Sequence, residues 1–178
     1  MIRLSNVAHS YGDEAIVDGL SLSVEPGEVV AVIGPSGVGK TTLLRILALF
    51  TRPDEGAVEL DGRSVWSVDE EERLALRRRI GMVFQDASLF DATVARNVEY
   101  GLRVRQSWDE RFRDALWSLA GSDGTSEAVE RSLDVVGLRD KLDQRARSLS
   151  GGEAKRVSFA RAFAYDPTYL LLDEPTSD

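Results

Sequence analysis

The most informative motif of this chain reads Gly34-Pro35-Ser36-Gly37-Val38-Gly39-Lys40-Thr41-Thr42. It matches the pattern Gly-x-x-x-x-Gly-Lys-Ser/Thr, which is typical of loops that bind phosphate groups. The apolar run Val29–Ile33 before it predicts a buried strand, and Thr41–Phe50 after it is apolar at helical spacing. A glycine-rich turn that contains a lysine by chance is a poor alternative, because the motif stands between a strand and a helix. The sequence therefore predicts binding of a nucleoside triphosphate.

The residue types of this loop suit phosphate binding for physical reasons. Glycines let the backbone turn tightly, so that successive N–H groups can point at phosphate oxygens. The amino end of the following helix adds a favourable field for an anion. We expect Lys40 to reach the β- and γ-phosphates and the Thr41 hydroxyl to ligate Mg²⁺.

A second candidate element lies near the end of the chain, where the apolar run Tyr169–Leu172 is followed by Asp173 and Glu174. In open α/β sheets, ligands bind outside the carboxyl ends of the strands, and carboxylates there face the ligand. Asp173 is predicted to hold Mg²⁺ through its water shell, and Glu174 to act as general base on the attacking water. An acidic surface turn after a core strand is the alternative, and the phosphate loop elsewhere in the chain disfavours it.

A third element is a predicted helix start at Ser150-Gly151-Gly152, within Leu149–Glu153. A serine and two glycines at the amino end of a helix form a possible second anion site. A plain N-cap serine with a glycine turn is the alternative. The presence of a complete phosphate loop in the same chain favours the anion site.

Strand and helix patterns alternate along the rest of the chain. Predicted strands cover Ile16–Val24, Gly56–Asp61, Ile80–Phe84 and Tyr169–Leu172. Predicted helices cover about residues 69–79, 93–136 with a break at 121–124, and 151–165. This alternation indicates an α/β fold with a mainly parallel sheet, in which the central helical stretch forms a subdomain.

The composition disfavours several classes of function. The net charge is −8, whereas a nucleic-acid-binding surface usually shows a basic footprint. No apolar run approaches the roughly 18–20 residues that span a bilayer, and the first residues lack the features of a signal peptide. There is no cysteine, and lysine occurs only at Lys40, Lys141 and Lys155. Adaptation to high salt and codon bias explain this acidic, arginine-rich composition equally well. We expect a cytoplasmic protein that does not bind nucleic acid and does not insert into a membrane. Any contact with a membrane would be made through a partner protein.

Three segments together, Ser36–Thr42, Leu149–Glu153 and Leu170–Ser177, resemble the Walker A, signature and Walker B elements of ABC-type ATPase domains. The resemblance extends over essentially the whole chain. It implies a P-loop NTPase fold in a single domain, residues 1–178, with a mainly parallel central sheet, an N-terminal antiparallel β subdomain and an inserted helical subdomain at about residues 90–150. It also implies ATP and Mg²⁺ as cofactors, with ATP bound through the nine loop residues quoted first.

The resemblance assigns further site residues. Tyr11 resembles the aromatic residue that stacks on adenine, and Gln85 resembles the glutamine that contacts Mg²⁺ and the attacking water. The implied metal ligands are therefore Thr41, Gln85 and Asp173, and the implied catalytic residues are Glu174 and Gln85. An ordinary tyrosine, and an ordinary polar residue at the end of a strand, are the alternatives.

In the family that the chain resembles, two domains dimerise head to tail with ATP between them. The resemblance therefore implies a homodimer in which Ser150, Gly151 and Gly152 grip the γ-phosphate of ATP held by Lys40 of the partner subunit. Closure on ATP and opening after hydrolysis would be the mechanical output. Glu153 stands where the family more often has glutamine, which removes no phosphate-binding group.

The segment Gln85–Val98 is similar to the Q-loop region of importers, where a groove receives a short helix of the transmembrane permease. Leu89, Phe90 and Val94 are candidates for that contact, with packing inside the helical subdomain as an equal alternative. The resemblance thus implies an ATP-hydrolysing subunit that energises an ABC importer from the inner face of the cell membrane. The substrate is not indicated, beyond a faint similarity around Phe90 and Asn97 to importers of oxyanions such as phosphate or tungstate.

Three other interpretations stay open. A soluble ABC ATPase that acts on DNA or ribosomes usually carries a long coiled-coil insertion or a second domain, which this sequence lacks. A truncated, non-hydrolysing nucleotide-binding fragment is suggested because the sequence ends at Asp178, before the C-terminal strands and switch histidine of the family; His9 stands too early for that role. Loss of a central strand predicts that the chain folds poorly alone.

A simple nucleotide kinase would not need the Ser150–Gly152 element.

Overall fold

The structure is a computed structural model that describes residues 1–104 and 124–175. The chain forms two compact units, Met1–Ile80 and Gly81–Asp178. The middle of the predicted helical stretch, most of its predicted break at 121–124, and the last two residues of the Walker B segment lie outside the described residues.

The first unit is built on an antiparallel sheet. Within residues 1–80 the elements are β1 (Ile2–Tyr11), β2 (Glu14–Val24), α1 (Lys40–Leu47), β3 (Glu55–Leu60), β4 (Arg63–Ser64) and α2 (Glu70–Arg78). The strand order is β2-β1-β3-β4, and every neighbouring pair is antiparallel. This sheet is the N-terminal antiparallel β subdomain that the resemblance implies.

Local signals in the sequence account for two boundaries in this unit. Asp61 and Gly62 have φ values of 50° and 77°, as the tight hairpin turn between β3 and β4 requires. Asp69 caps α2, because its carboxylate accepts a hydrogen bond of 2.8 Å from the N–H of Glu72. Acidic residues fill the first turn of α2 and arginines the last, which suits the helix dipole. The strand and helix predicted in this region are confirmed.

Strand β1 lacks a simple alternation because it contains bulges. Ile2 and Leu4 are buried, and so are Val7 and His9, so the inward-facing positions change from even to odd numbers. The register with β2 shifts between Leu4 and Val7, around Asn6, whose φ is 47°. The period-two pattern therefore predicts β2 but not β1.

The buried strand predicted at Val29–Ile33 does not form in this structure. The segment connects β2 to α1 without regular structure, and Val29 and Ile33 are 95% and 93% exposed. Within residues 1–80, the four strands hydrogen-bond to one another and not to this segment. A strand needs a neighbour that satisfies its main-chain N–H and C=O groups, and an apolar run does not specify that neighbour.

The second unit combines a short parallel sheet with helices. Its described elements are β5 (Ile80–Val83), α3 (Val94–Arg103), α4 (Gly124–Val135), two single 3₁₀ turns (Arg139–Lys141 and Ala146–Ser148), α5 (Gly151–Phe163) and β6 (Tyr169–Leu172). Strands β5 and β6 are neighbours, and the N–H of Asp173 donates to the carbonyl of Val83 at 2.9 Å. Both strands were expected from their apolar runs, although β6 is half-buried rather than buried.

Helices α3, α4 and α5 enclose a common apolar core. Its buried members are Val94, Val98, Val129, Leu133, Leu138, Val157 and Ala160. Helices α3 and α5 approach closely at Gly101, where an added Cβ would lie 2.5 Å from the carbonyl oxygen of Arg161. Helices α3 and α4 lie in the range of about residues 90–150 that the resemblance implies for the helical subdomain, whereas α5 begins beyond it at Gly151; these limits stay a prediction.

Candidate functional site

The phosphate loop joins the irregular segment after β2 to helix α1. Lys40 is the first residue of α1, and its Nζ donates hydrogen bonds of 2.8 Å to the carbonyl oxygens of both Gly34 and Pro35. Gly37 and Gly39 have φ values of 82° and 99°, which side-chain-bearing residues rarely adopt. The lysine ammonium is thus held over the start of its own loop, at the amino end of a helix, as an anion-binding loop requires.

Gly39 is constrained by its neighbour as well as by its backbone. A Cβ at this position would lie 2.7 Å from Cγ2 of Ile16 and 2.8 Å from the Ile16 carbonyl oxygen. Ile16 belongs to β2, so this strand fixes the last turn of the loop. A glycine is therefore needed here for space and for conformation, and the sequence motif indicates only the second.

The other predicted nucleotide ligands of the first unit differ in exposure. Tyr11, at the end of β1, is half-exposed, and its ring meets the ring of His9 edge-on with centroids 4.9 Å apart. Such a ring keeps a face available for stacking. On α1, Thr41 is exposed, whereas Thr42 is buried. A ligand role for Thr42 would therefore use its main-chain N–H.

In the second unit, the ends of β5 and β6 bring together residues far apart in the sequence. Nε2 of Gln85 donates a hydrogen bond of 2.8 Å to Oε2 of Glu174, although 89 positions separate the two. Asp173, between β6 and Glu174, is buried. Glu174 has a φ of 45°, which is rare for a residue with a side chain. The predicted base and the predicted Q-loop glutamine are thus in direct contact.

These residues fit a magnesium ion by the chemistry of their donor atoms. Mg²⁺ prefers oxygen ligands such as carboxylates, amide oxygens and hydroxyls, usually with retained waters. Asp173 and Gln85 supply a carboxylate and an amide oxygen after β6 and β5. Thr41 supplies a hydroxyl on the first unit. The donor set is of the right kind, and the assignment of these three ligands stays a prediction.

Lys155 belongs to this region, although no sequence motif assigned it a role in the site. Its Nζ donates to the carbonyl oxygens of Phe84 at 3.1 Å, Gln85 at 2.5 Å and Glu174 at 3.4 Å. Lys155 lies in the first half of α5, the helix that begins with the signature element. The sequence shows only that this lysine lies close to the signature serine. It does not indicate which surface the lysine side chain contacts.

The signature element begins α5 with a complete capping box. Ser150 Oγ accepts a hydrogen bond from the N–H of Glu153 at 3.3 Å, and Oε2 of Glu153 accepts one from the N–H of Ser150 at 2.8 Å. Ser150 Oγ also lies 2.9 Å from Oε2 of Glu153. The N-cap interpretation of Ser150 is therefore confirmed, whereas binding of phosphate by Ser150, Gly151 and Gly152 stays a prediction.

Glu153 carries an unusual charge environment. A hydrogen bond from the Lys141 ammonium lowers the pKa of Glu153 from its ordinary 4.5 to about 2, and hydrogen bonds from Ser150 add to this effect. Lys141 and Glu153 also form an ion pair. The glutamate that replaces the more common glutamine is thus a fixed anion, and its second oxygen serves the capping box.

The predicted permease contacts separate into buried and exposed residues. Val94 is fully buried in the helical core, and Leu89 packs against that core. Packing inside the unit is therefore the role that the structure gives both residues. Phe90 is half-exposed, and its ring lies 4.6 Å from that of Tyr100 and 6.0 Å from the guanidinium carbon of Arg161.

The position of Phe90 is set by Asn97, a fully buried residue of α3. Asn97 Oδ1 accepts a hydrogen bond of 2.8 Å from the N–H of Phe90, and its Nδ2 donates to the carbonyls of Phe90 at 3.2 Å and Thr93 at 3.0 Å. Arg161 adds a hydrogen bond of 2.9 Å to the Ser88 carbonyl. Burial lowers the pKa of the Arg161 guanidinium.

Comparison with known proteins identifies the class. The dimeric ATP-binding cassette MJ0796, in a post-hydrolysis state with ADP and Pi, superimposes with a TM-score of 0.82 at 32% identity, over 99% of this chain and 75% of the other. CbiO1 from Clostridium perfringens, part of the ABC transporter complex cbiONQ, gives a TM-score of 0.78 at 28% identity, over 98% and 65% of the two chains. The chain therefore has the fold of ABC ATPase cassettes, with P-loop NTPase architecture.

The sequence profile described as ABC transporter matches residues 17–177, and the chain belongs to this family. The phosphate import ATP-binding protein PstB 2 of Natronomonas pharaonis is 58% identical over 99% of this chain and 61% of its own length. A probable anion import ATP-binding protein of Haloferax volcanii is 58% identical over 97% and 60%. The chain thus spans about three fifths of the length of these relatives. Among the described residues, no helix is long and apolar enough to cross a membrane.

Proposed function

We propose that this chain provides the ATP-binding and ATP-hydrolysing machinery of an ABC importer. The observation that carries the proposal is the 2.8 Å hydrogen bond between Gln85 and Glu174 at the ends of β5 and β6. A carboxylate and an amide paired in this way can receive a proton from a water molecule and orient it. Together with a phosphate loop whose lysine stands at a helix start, they supply the parts that phosphoryl transfer needs.

In this proposal the nucleotide is bound mainly by the first unit. Main-chain N–H groups of the loop residues 34–42 other than Pro35, which has none, bind the phosphates together with the Lys40 ammonium. Lys40 exchanges its carbonyl acceptors, Gly34 and Pro35, for phosphate oxygens. Tyr11 stacks on the adenine ring. The glycines of the loop allow its backbone to approach the phosphates closely.

In the hydrolysis step, Glu174 accepts a proton from the water that attacks the γ-phosphorus, and the bond from that phosphorus to the β–γ bridging oxygen breaks. Gln85 holds the Glu174 carboxylate and orients the water. Mg²⁺, held by Thr41, Gln85 and Asp173, would neutralise charge on the phosphate oxygens. Lys40 compensates the charge that stays on the β- and γ-phosphates.

We further propose that two copies assemble head to tail. The dimeric state of the MJ0796 cassette supports this arrangement. Ser150, Gly151 and Gly152 would bind the γ-phosphate of ATP held by Lys40 of the partner subunit. The capping box already orients the amino end of α5 and leaves Gly151 and Gly152 exposed. An exposed helix start of this kind favours an anion.

The partner in transport would be a transmembrane permease, which holds the protein at the inner face of the membrane. The half-exposed aromatic pair Phe90 and Tyr100, with Arg161 beside it, is the surface we assign to this contact. The names of the two relatives at 58% identity support an anion such as phosphate as the transported substrate. Methionine import proteins match at 42% and 38%, so methionine is the appropriate competitor in a transport assay.

The direct test is ATP hydrolysis by the purified chain, compared with its Glu174→Gln variant. The variant keeps the shape and the partner of the side chain but removes the base, so we expect the rate to fall by about a hundredfold or more. Equal rates in the two proteins would refute Glu174 as the base. A lack of hydrolysis in a folded wild-type sample that binds ATP would restrict the proposal to nucleotide binding.

The importer assignment needs a separate test. The full-length protein, reconstituted with its permease in vesicles, should take up labelled phosphate only when ATP is present. Uptake of methionine instead of phosphate would contradict the anion assignment, and copurification with nucleic acid rather than with a membrane protein would contradict the importer assignment.

A further inference from the structure

We infer that Lys155 is a positioning residue for ATP hydrolysis, which keeps Glu174 and Gln85 in their productive arrangement by binding the main chain beside both. The inference rests on the proposed role of Glu174 as base. It concerns a residue outside the phosphate loop and outside the three glycine and serine positions of the signature element.

The geometry around Lys155 is that of a shared donor. An ammonium group has three N–H donors, and three carbonyl oxygens lie around this one, at 3.1 Å on Phe84, 2.5 Å on Gln85 and 3.4 Å on Glu174. Two of these carbonyls follow β5 and the third follows β6. Hydrogen bonds from a charged donor are stronger than those between neutral groups. A single side chain of α5 therefore ties together the two loops that carry the proposed catalytic groups.

Gln85 and Glu174 are consequently linked twice. Their side chains share the hydrogen bond of 2.8 Å, and their carbonyl groups share the Lys155 ammonium. This closes a ring of hydrogen bonds through three residues, one on α5 and one in each of the loops that follow β5 and β6. The ring fixes the relative position of the two side chains more tightly than the direct bond alone, because it removes the freedom of the loops to separate.

The backbone of Glu174 shows why such a restraint is useful. Its φ of 45° lies in the left-handed region. This conformation is unfavourable for a residue with a side chain and persists only where the surrounding structure holds it. Its side chain is held by Gln85 and its carbonyl by Lys155. Removing the ammonium would free the carbonyl and let this backbone relax, which would move the carboxylate away from the attacking water.

Lys155 also lies close to the proposed phosphate-binding start of α5, which begins at Gly151. A helix behaves as a stiff element over a few residues, so a displacement of its amino end displaces the Lys155 ammonium. A shift of the signature element would then move Gln85 and Glu174 through these hydrogen bonds, all of which lie within the second unit.

The experiment compares Lys155→Met, which keeps the length of the chain without donors, and Lys155→Gln, which keeps two N–H donors. We expect Lys155→Met to lower kcat by about tenfold or more, with KM and the Kd for ATP changed by less than about twofold. Lys155→Gln should recover part of the loss. Arg139→Met, which removes an exposed cation from the same unit, is the control and should retain wild-type kcat.

A double variant shows whether Lys155 acts through Glu174. Single-turnover hydrolysis by Lys155→Met combined with Glu174→Gln should be no slower than that of Glu174→Gln alone, because the base is already absent. Independent, multiplicative losses would overturn the inference. So would an unchanged kcat in Lys155→Met, or a loss of kcat, ATP affinity and thermal stability together that Lys155→Gln does not restore, since that is the signature of a purely structural residue.

Failure of the underlying function gives a different result. If Glu174→Gln hydrolyses ATP as fast as the wild type, the base assignment is wrong and the inference falls with it. If Glu174→Gln is inactive while Lys155→Met is fully active, the proposed function stands and this inference alone is refuted.

Discussion

Asn97 satisfies both main-chain polar groups of Phe90, through an Oδ1 acceptor at 2.8 Å and an Nδ2 donor at 3.2 Å. The asparagine is fully buried on α3, whereas the Phe90 ring is half-exposed. A buried amide thus holds an exposed aromatic ring in a fixed position. This arrangement separates the residue that would touch a partner from the residue that determines where the contact lies.

The first prediction concerns Asn97. Asn97→Ala removes the acceptor of the Phe90 N–H, whereas the Phe90 carbonyl still accepts a hydrogen bond from the N–H of Ala92. The N–H left without its acceptor should lower the free energy of unfolding by about 1–3 kcal/mol. It should also weaken binding to the permease. Urea unfolding and capture of the permease from detergent extracts measure the two effects.

Phe90→Ala provides the matched comparison, because it removes the exposed ring and leaves the main-chain bonds to Asn97. It should weaken permease capture with a much smaller change in stability. If Phe90→Ala leaves capture unchanged, this surface does not contact the permease.

The second prediction concerns the phosphate loop. Gly37 and Gly39 both have positive φ, but a methyl group at Gly37 would meet nothing within 4 Å, whereas at Gly39 it would lie 2.7 Å from Ile16 Cγ2 and 2.8 Å from the Ile16 carbonyl oxygen. Gly37→Ala should therefore cost only the conformational strain, about 1 kcal/mol. Gly39→Ala should cost that strain and a displacement of β2 or of the loop.

Thermal unfolding and ATP titration of the two variants give the comparison. Gly39→Ala should have the lower Tm and the weaker ATP binding. Equal behaviour of the two variants would show that the contact with Ile16 does not constrain the loop.

The third prediction concerns pH. The hydrogen bond from Lys141 lowers the pKa of Glu153 to about 2, so the folded protein holds this carboxylate ionised more strongly than the unfolded chain does. The resulting contribution to stability is complete above the unfolded pKa of about 4.5 and is lost as the pH falls toward about 2. Glu153→Gln and Lys141→Met should both reduce the slope of stability against pH in this window.

Urea midpoints at several pH values between about 5 and 2 would measure the slope. Glu130→Gln, which removes a carboxylate from an exposed ion pair with Arg139, is the control. If Glu153→Gln and Lys141→Met follow the wild-type curve as the control does, Glu153 does not contribute to acid unfolding.

The fourth prediction concerns the packing of α3 on α5. Gly101→Ala places a Cβ 2.5 Å from the Arg161 carbonyl oxygen and 3.0 Å from Arg161 Cγ. The helices must separate to accept it, at a cost of about 1–3 kcal/mol. Because Arg161 also supports Phe90 and Ser88, permease binding should weaken together with stability. A variant with wild-type Tm would show that this helix contact is loosely packed.

Local rules were sufficient for several parts of the structure. The cap at Asp69, the turn at Asp61 and Gly62, and the helix after Lys40 each follow from residues adjacent in the sequence. Capping, turn geometry and helical periodicity are short-range effects, so a sequence pattern contains the needed information.

Long-range effects explain what the sequence did not predict. The bulge at Asn6 hides the periodicity of β1, and the irregular form of Val29–Ile33 depends on which strands pair with which. The contacts of Lys155 and the burial of Val94 depend on how helices and loops pack. An apolar run or a lysine in a helix is compatible with several such arrangements, and tertiary packing selects among them.

The exposure of Val29–Ile33 has a consequence for solutions of this chain. The segment is rich in valine, contains no charge and no proline, and pairs with none of the four strands of the first unit, which are the properties of sequences that stack into intermolecular sheets. Self-association through such a segment is independent of ATP and grows with concentration, whereas head-to-tail pairing would depend on ATP. Light scattering at rising protein concentration therefore distinguishes aggregation from assembly, and a charge at Val32 would suppress only the former.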